Sequence, residues 1–370
     1  MDYRLPDDVA ALKEQAHQVA VAAAEQRDIR EDAWIVGHSA EFSRQLGELG
    51  WIGMTWPTEF GGGGHSALER FVVVEELISN GAPMASSWMA DRQIGPSLIQ
   101  YGTPEQQARH LPEIIKGTSM WSIGMSEPDA GSDVAAVRTT AVLDGDEWII
   151  NGQKIWTSGA ADAGWIYLVA RTDPDAPPHA GLSDLIVDLT SPGIDIVPIV
   201  DVTDTRHFCE VYFTDVRVPV ANLIGTVNNS FKQVMRQMEH ERGGIDRLVS
   251  NRALYLDTLE RFDRGDPIHR QTVARFESIY TIARHMILRE VLGQAPKGWS
   301  AITKTLATEF EVEVANWCAE VAGPEAMLAN RISRAVMYAP GYTIQGGTTQ
   351  ILRNIMGERV LGLPREPRVT

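Results

Sequence analysis

The sequence predicts an α+β fold whose elements are segregated into a helical block, a block of strands and a second helical block. Three observations carry that reading. Apolar residues recur at helical spacing up to about residue 117, with two capping boxes among them. Short apolar runs of strand character crowd between about 120 and 225, and helical patterning returns after Gly225 and continues to about 360. Strands gathered between helical blocks, instead of alternating with helices, argue against a doubly wound parallel sheet. A chain of 370 residues has room for two or three domains. The pattern shifts divide it into an N-terminal helical domain over 1–119, a central β domain over 120–225 and a C-terminal helical domain over 226–370.

In the first block, Ser66-Ala67-Leu68-Glu69 is a capping box, and Ala67, Phe71, Val74 and Ile78 follow on one face. Thr103-Pro104-Glu105-Gln106 combines an N-cap, Pro at N1 and a second capping box, and Gly117 is the expected stop. Trp56-Pro57-Thr58-Glu59-Phe60 runs into Gly61–Gly64. No Gly-Lys-Ser/Thr follows, so a sharp turn accounts for these glycines better than a phosphate loop does. In the second block, Trp148-Ile149-Ile150 and Gln153-Lys154-Ile155-Trp156 flank Asn151-Gly152, which reads as a hairpin turn. Runs at 164–170, 185–189 and 210–213 continue the strands. The last block is broken near Gly265-Asp266-Pro267, Ala295–Gly298 and Pro340-Gly341.

Thirty-three Lys and Arg against 49 Asp and Glu give a net charge of −16. That balance argues against a general nucleic-acid binder and against adsorption to an anionic membrane, so an anionic substrate needs a few placed cations. Cys209 and Cys318 are the only cysteines, which leaves no disulfide framework and no Cys-based zinc site. The start has no signal-peptide pattern and no stretch is apolar enough to span a bilayer, so the expected setting is cytoplasmic.

Two segments carry chemistry. Ser122–Asp133 is rich in hydroxyls and small residues that bring backbone N–H groups close to a ligand, although a plain turn has the same composition. Asn151–Gly159 ends in Trp156 beside hydroxyls, which suits an aromatic ligand with a polar edge, while a lone Trp is more often core. Together they closely resemble the paired flavin-binding signatures of the acyl-CoA dehydrogenase family. The resemblance covers nearly the whole chain, in order: Trp56-Pro57 with Phe60-Gly61-Gly62, Glu127-Pro128 with Ala130-Gly131-Ser132-Asp133, the Trp156 segment, Asp215-Val216-Arg217-Val218-Pro219, and Gly347-Thr348-Thr349-Gln350-Ile351.

The resemblance implies a helical domain, an antiparallel β domain and a four-helix-bundle domain assembled as a tetramer with FAD. By position it places Met125 and Ser126 at the flavin ring, Ser132 at the boundary between FAD and substrate, and Trp156 and Ser158 beside the isoalloxazine. Thr348 and Gln350 fall to the ribityl or diphosphate part. The implied reaction is α,β-dehydrogenation of an acyl-CoA: a carboxylate removes the α-proton and the β-hydrogen leaves as hydride to flavin N5, with an electron-transferring flavoprotein as acceptor.

The chain also departs from the family pattern. Where most members carry the base in Glu-Gly-Thr, it reads Gly346-Gly347-Thr348, so Gly346 can offer only its backbone N–H to the thioester oxygen, with Gly347 beside the substrate. Glu241 in Met238-Glu239-His240-Glu241-Arg242 falls where some members place the base, and Arg242 matches a contact to the CoA phosphate end. A helical Glu paired with a nearby Arg in solvent is the ordinary alternative. His240 has no second ligand at i+4, so no metal is expected. The family's Arg-x-x-Phe-Gly diphosphate motif is missing from 259–268, and Glu320 stands where a Gln commonly meets a neighbour's cofactor. These departures resemble the steroid side-chain branch, whose members form α2β2 heterotetramers, so the implied assembly is a homotetramer or an α2β2 heterotetramer with a related dehydrogenase subunit, and the implied substrate carries a bulky, branched or steroid-derived, ring-bearing acyl group. Two other readings share the scaffold: a non-catalytic partner subunit, and an acyl-carrier-protein dehydrogenase or flavin oxidase.

Overall fold

The computed structural model describes residues 4–25, 31–234 and 244–365. They form two compact units. One takes the chain up to Trp34, Ser66–Ala82 and residues 244–365; the other takes Ile35–His65 and residues 83–234.

The first unit is helical. Helix Asp7–Glu25 buries Ala16, Ala20, Ala23 and Ala24, small side chains that let it lie close against helix Ala67–Ser79. Ser66 opens that second helix with the expected capping box. Helices Pro267–Val291 and Trp299–Ala322 pack around Phe276, Tyr280, Phe310 and Trp317, whose rings meet edge-on or tilted, with Tyr255 from helix Arg252–Leu259 among them. The Arg252 guanidinium lies 4.3 Å over the Tyr280 ring. Arg284 donates to the largely buried Glu75 carboxylate at 2.7 Å, tying the third helix to the second. The expected breaks around 265 and 295–298 are present, whereas Pro340-Gly341 sits in the last turn of helix Arg331–Tyr342.

The second unit holds the sheet. Its strands are β1 (Trp121–Gly124), β2 (Thr140–Asp144), β3 (Glu147–Ser158), β4 (Trp165–Arg171), β5 (Leu182–Asp188), β6 (Ile194–Ile199), β7 (Phe208–Pro219) and β8 (Leu223–Ile224). They lie in the order β6-β7-β3-β2-β4-β5-β8, with β1 beside β4. Pairing is antiparallel except where β1, and β2 at Thr140, run parallel to β4. Ile166–Ala170 in β4 have no solvent exposure, which explains why that run is continuously apolar rather than alternating. Asp184 of β5 is fully buried and accepts from Tyr167 Oη (2.6 Å), Gln233 Nε2 (2.5 Å) and Ser230 Oγ, which fixes helical residues 230–234 to the sheet. Helix Pro104–Ile115 opens with the expected Thr103–Gln106 capping box, and Gly117 follows its end with φ +68°. The Trp56–Gly64 stretch is a tight turn: a Cβ on Gly62 would lie 2.3 Å from the Trp56 carbonyl oxygen.

One expectation is corrected. Asn151-Gly152 is not a hairpin turn; β3 runs straight through it, and the chain reverses at Asp144-Gly145-Asp146. Asn151 instead exchanges hydrogen bonds with Asp215 of β7, accepting from its N–H (2.9 Å) and donating to its carboxylate (3.0 Å). Asp215 has φ +49° and marks a bulge. Gly152 is required there because a Cβ would meet the Thr139 hydroxyl at 2.6 Å. The Asn-Gly pair thus serves a bulge and a close backbone approach, the other use of the same residue types.

His110 lies edge-on between Trp121 and Trp165, at 5.1 and 4.9 Å between ring centres. Burial, helped by the Arg109 charge, pulls its pKa down to about 4. The folded state therefore resists protonating His110, so its contribution to stability is complete above about 6.5 and is lost as pH falls towards 4. His110→Phe is expected to flatten the decline in the urea midpoint between pH 6.5 and 4, and an unchanged slope would reject this assignment.

Candidate functional site

Two bulges decide which side chains of β3 and β7 face inward. In β7, Cys209, Val211 and Phe213 are buried, then Asp215 shifts the parity and Val216 and Val218 are buried. In β3, Trp148, Ile150 and Lys154 point inward, then the register with β7 slips between Lys154 and Thr157. Trp156 is the extra residue. It adopts φ +58°, rare for a bulky side chain, and its neighbour Thr157 becomes the buried one. The indole is left 53% exposed, resting edge-on against Phe208 at 5.6 Å.

The loop after β1 is locked onto β3 by a buried ion pair. Lys154 Nζ donates to Glu127 Oε1 at 2.8 Å and to the Met125 carbonyl at 3.1 Å. Glu127 also accepts from the backbone N–H groups of Arg138 (2.6 Å) and Thr139 (2.8 Å). Ile155 N–H donates to the Ser126 carbonyl at 3.0 Å, and Ser122 Oγ to the Ser158 carbonyl at 2.9 Å. Burial pushes the Glu127 carboxyl up, but the Lys154 charge and these donors together hold it below the usual range. Burial pulls the Lys154 ammonium down to about 8 against the Glu127 charge. These bonds set Met125 and Ser126 beside Lys154 and Ile155, and Ser158 beside Ser122, so that the β1 segment and the C-terminal end of β3, which carries Trp156, lie alongside each other. Ser132 is exposed on the same loop. Arg171 steadies the stretch beyond it, donating to the carbonyls of Val137 (2.9 Å) and Ala135 (2.8 Å).

In the helical unit, the turn Thr343–Thr348 leads into helix Thr349–Ile355. Gly346 and Gly347 have φ +63° and +94°, a consecutive pair that side chains would strain. Thr349 N–H closes the turn on the Thr343 carbonyl at 3.0 Å, and Lys304 Nζ donates to the Gly347 carbonyl at 2.8 Å. Among the described residues, neither glycine N–H donates a hydrogen bond. Thr348 Oγ1 caps the helix by accepting from Ile351 N–H at 3.2 Å, and Gln350 is exposed. Glu320 is exposed as well. Glu239, His240, Glu241 and Arg242 lie outside the described residues.

The roles of Glu127 and Lys154 emerge only in the folded chain. The available signal was a lysine at an inward position of an alternating strand; Lys304, on the buried face of helix Trp299–Ala322, carries the same signal.

Three family profiles match the chain: "Acyl-CoA dehydrogenase, N-terminal domain" over residues 6–118, the middle domain over 122–216 and the C-terminal domain over 228–361. The acyl-CoA dehydrogenase IpdE1 of Mycobacterium tuberculosis is 36% identical over 340 residues, covering 88% of each chain. The acyl-CoA dehydrogenase FadE26 of the same organism is 33% identical over 363 residues, again covering 88% of each. Among solved structures, the Tcur3481-Tcur3483 steroid ACAD superposes with a TM-score of 0.89 at 31% identity, covering 99% of this chain and 100% of that one. The ChsE4-ChsE5 complex from M. tuberculosis gives 0.87 at 31% identity, with the same coverage.

Lys154→Met leaves a buried carboxylate without its cation and is expected to cost about 3–5 kcal/mol. Adding Glu127→Gln should restore part of the loss in thermal unfolding. A double variant no more stable than Lys154→Met would mean that the pair does not lock this loop.

Proposed function

The chain belongs to the acyl-CoA dehydrogenase family, whose members are flavoenzymes, and from that premise we propose FAD-dependent α,β-dehydrogenation of an acyl-CoA whose acyl group is bulky and ring-bearing, steroid-derived in class. The observation that carries the specific reading is the Gly346-Gly347 turn. It presents backbone N–H groups with no partner among the described residues and no side chain at the place where most members carry the base. The likeness to the two heteromeric complexes supports the substrate class and an α2β2 assembly with a related subunit.

The residues present fit a flavin. A half-exposed indole stands beside the Ser158 segment on a strand end that a buried ion pair fixes to Met125 and Ser126. Gly131 adds an open approach, since a Cβ there would meet nothing within 4 Å although its backbone does not require glycine. In this reading Met125, Ser126, Trp156 and Ser158 border the ring, Ser132 lies between ring and substrate, and Thr348 and Gln350 reach the rest of the cofactor. Bound FAD supplies the acceptor for the β-hydride.

The protein's own residues do the remainder. The α-proton of a thioester is weakly acidic, so removing it needs the carbonyl polarised as negative charge develops. The Gly346 N–H is the donor we assign to that oxygen, with Gly347 alongside. Glu241 is the base and Arg242 the cation for the CoA phosphates. Two free, buried cysteines suit a reducing, cytoplasmic setting, and an electron-transferring flavoprotein is the proposed acceptor.

Glu241→Gln is expected to lower the rate at which a steroid-side-chain acyl-CoA bleaches the flavin by about 10²- to 10⁴-fold, with KM little changed. An unchanged rate would leave the other reading, a non-catalytic subunit that completes a partner's site. The chain purified alone is expected to hold little FAD, and the co-purified heteromer about one FAD for every two chains; a full complement in the isolated chain would overturn the heteromeric assembly.

A further inference from the structure

We infer that Lys304 is a positioning residue for the reaction, holding the Gly346-Gly347 turn in the conformation that presents the Gly346 N–H. This rests on the reading of Gly346 as the donor to the thioester oxygen. Helix Trp299–Ala322 buries thirteen positions, nearly all of them apolar, small or hydroxyl-bearing. Lys304 is an exception. It is 1% exposed, although an ammonium is costly to bury. Its Nζ donates to the Gly347 carbonyl at 2.8 Å.

The turn needs such an anchor. Two consecutive glycines in the left-handed region have wide conformational freedom, so nothing local selects φ +63° and +94° from the alternatives. The backbone bonds from Thr349 to Thr343 and from Gln345 to Gly341 close the base of the turn, and among the described residues no backbone bond holds Gly346 or Gly347 at its tip. The Gln345 side chain, set between Tyr338 Oη (3.2 Å) and Arg247 Nη1 (3.5 Å), fixes the residue before the pair. Lys304 fixes the residue after Gly346. With both flanks held, the peptide plane between Gln345 and Gly346 has little room to rotate, and that plane sets where the Gly346 N–H points. A polarising donor acts only if it is aimed before charge develops, so an anchor distant from the reacting atoms reads out in turnover more than in binding.

The test compares Lys304→Met, of similar length but without a donor, with Lys304→Gln, which keeps an N–H donor on a shorter side chain. In the holoenzyme, amide hydrogen exchange is followed in the peptide spanning 343–350 and, as a control, in helix Pro267–Val291. Lys304→Met is expected to speed exchange in the first peptide by about tenfold or more and leave the control unchanged, with Lys304→Gln intermediate. Turnover of the acyl-CoA that bleaches the wild-type flavin should fall about 10- to 100-fold in Lys304→Met, with KM within about twofold. If Lys304→Met does not fold, faster exchange confined to 343–350 in Lys304→Gln carries the same weight. Exchange like wild type in a folded variant would overturn the inference, as would an equal rise in both peptides, which marks a general structural role. Faster local exchange with undiminished turnover would uphold Lys304 as the anchor and reject Gly346 as the polarising donor instead.

Discussion

The buried pair between Glu127 and Lys154 organises the sheet unit around its candidate site. A loop rich in Gly, Ser and Asp has little apolar surface with which to hold itself, and burying an ammonium and a carboxylate is costly unless both are satisfied. The structure meets both constraints at once: the carboxylate takes Lys154 and two backbone N–H groups, and the ammonium takes the carboxylate and the Met125 carbonyl. An apolar pair of similar volume would fill the space but would not fix the carbonyl of Met125. The directional bonds aim the loop.

The bulges complete that arrangement. A regular β3 would turn Trp156 into the core and Thr157 out. One inserted residue reverses this, at the cost of a left-handed tryptophan, and leaves a large aromatic surface beside a fixed polar loop. Strain of this kind persists only where neighbours over-determine it. Here the neighbours are Lys154 on one side and the Ser122–Ser158 bond on the other. In the helical unit a lysine again grips a carbonyl in a loop that apolar packing could not hold, so each unit uses a buried ammonium to fix backbone.

The family relationship gives these parts their chemical meaning. The segments proposed to border the flavin keep the family pattern, while the Gly346-Gly347 turn departs from it. Glycine at position 346 supplies no carboxylate but leaves its backbone N–H available. On the reading proposed above, with Glu241 as the base, the two glycines leave room for a larger acyl group.

Much of this was legible in the residues alone. The capping boxes at Ser66 and Thr103 and the glycine turn after Trp56 are local signals, set by backbone stereochemistry and short-range hydrogen bonding; the segregated blocks show in the periodicity, and the ordered motifs carry the family resemblance. Tertiary contacts settled the rest. Asn151-Gly152 carries the residue types of a hairpin turn, yet a partner strand and the side chain of Thr139 make it part of a bulge. Trp156 faces solvent because of a register slip against β7, and Lys154 and Lys304 acquire their roles from carbonyls 29 and 43 residues away. A sequence specifies the short-range preferences of each residue. Which of two compatible uses wins depends on the groups that folding brings alongside.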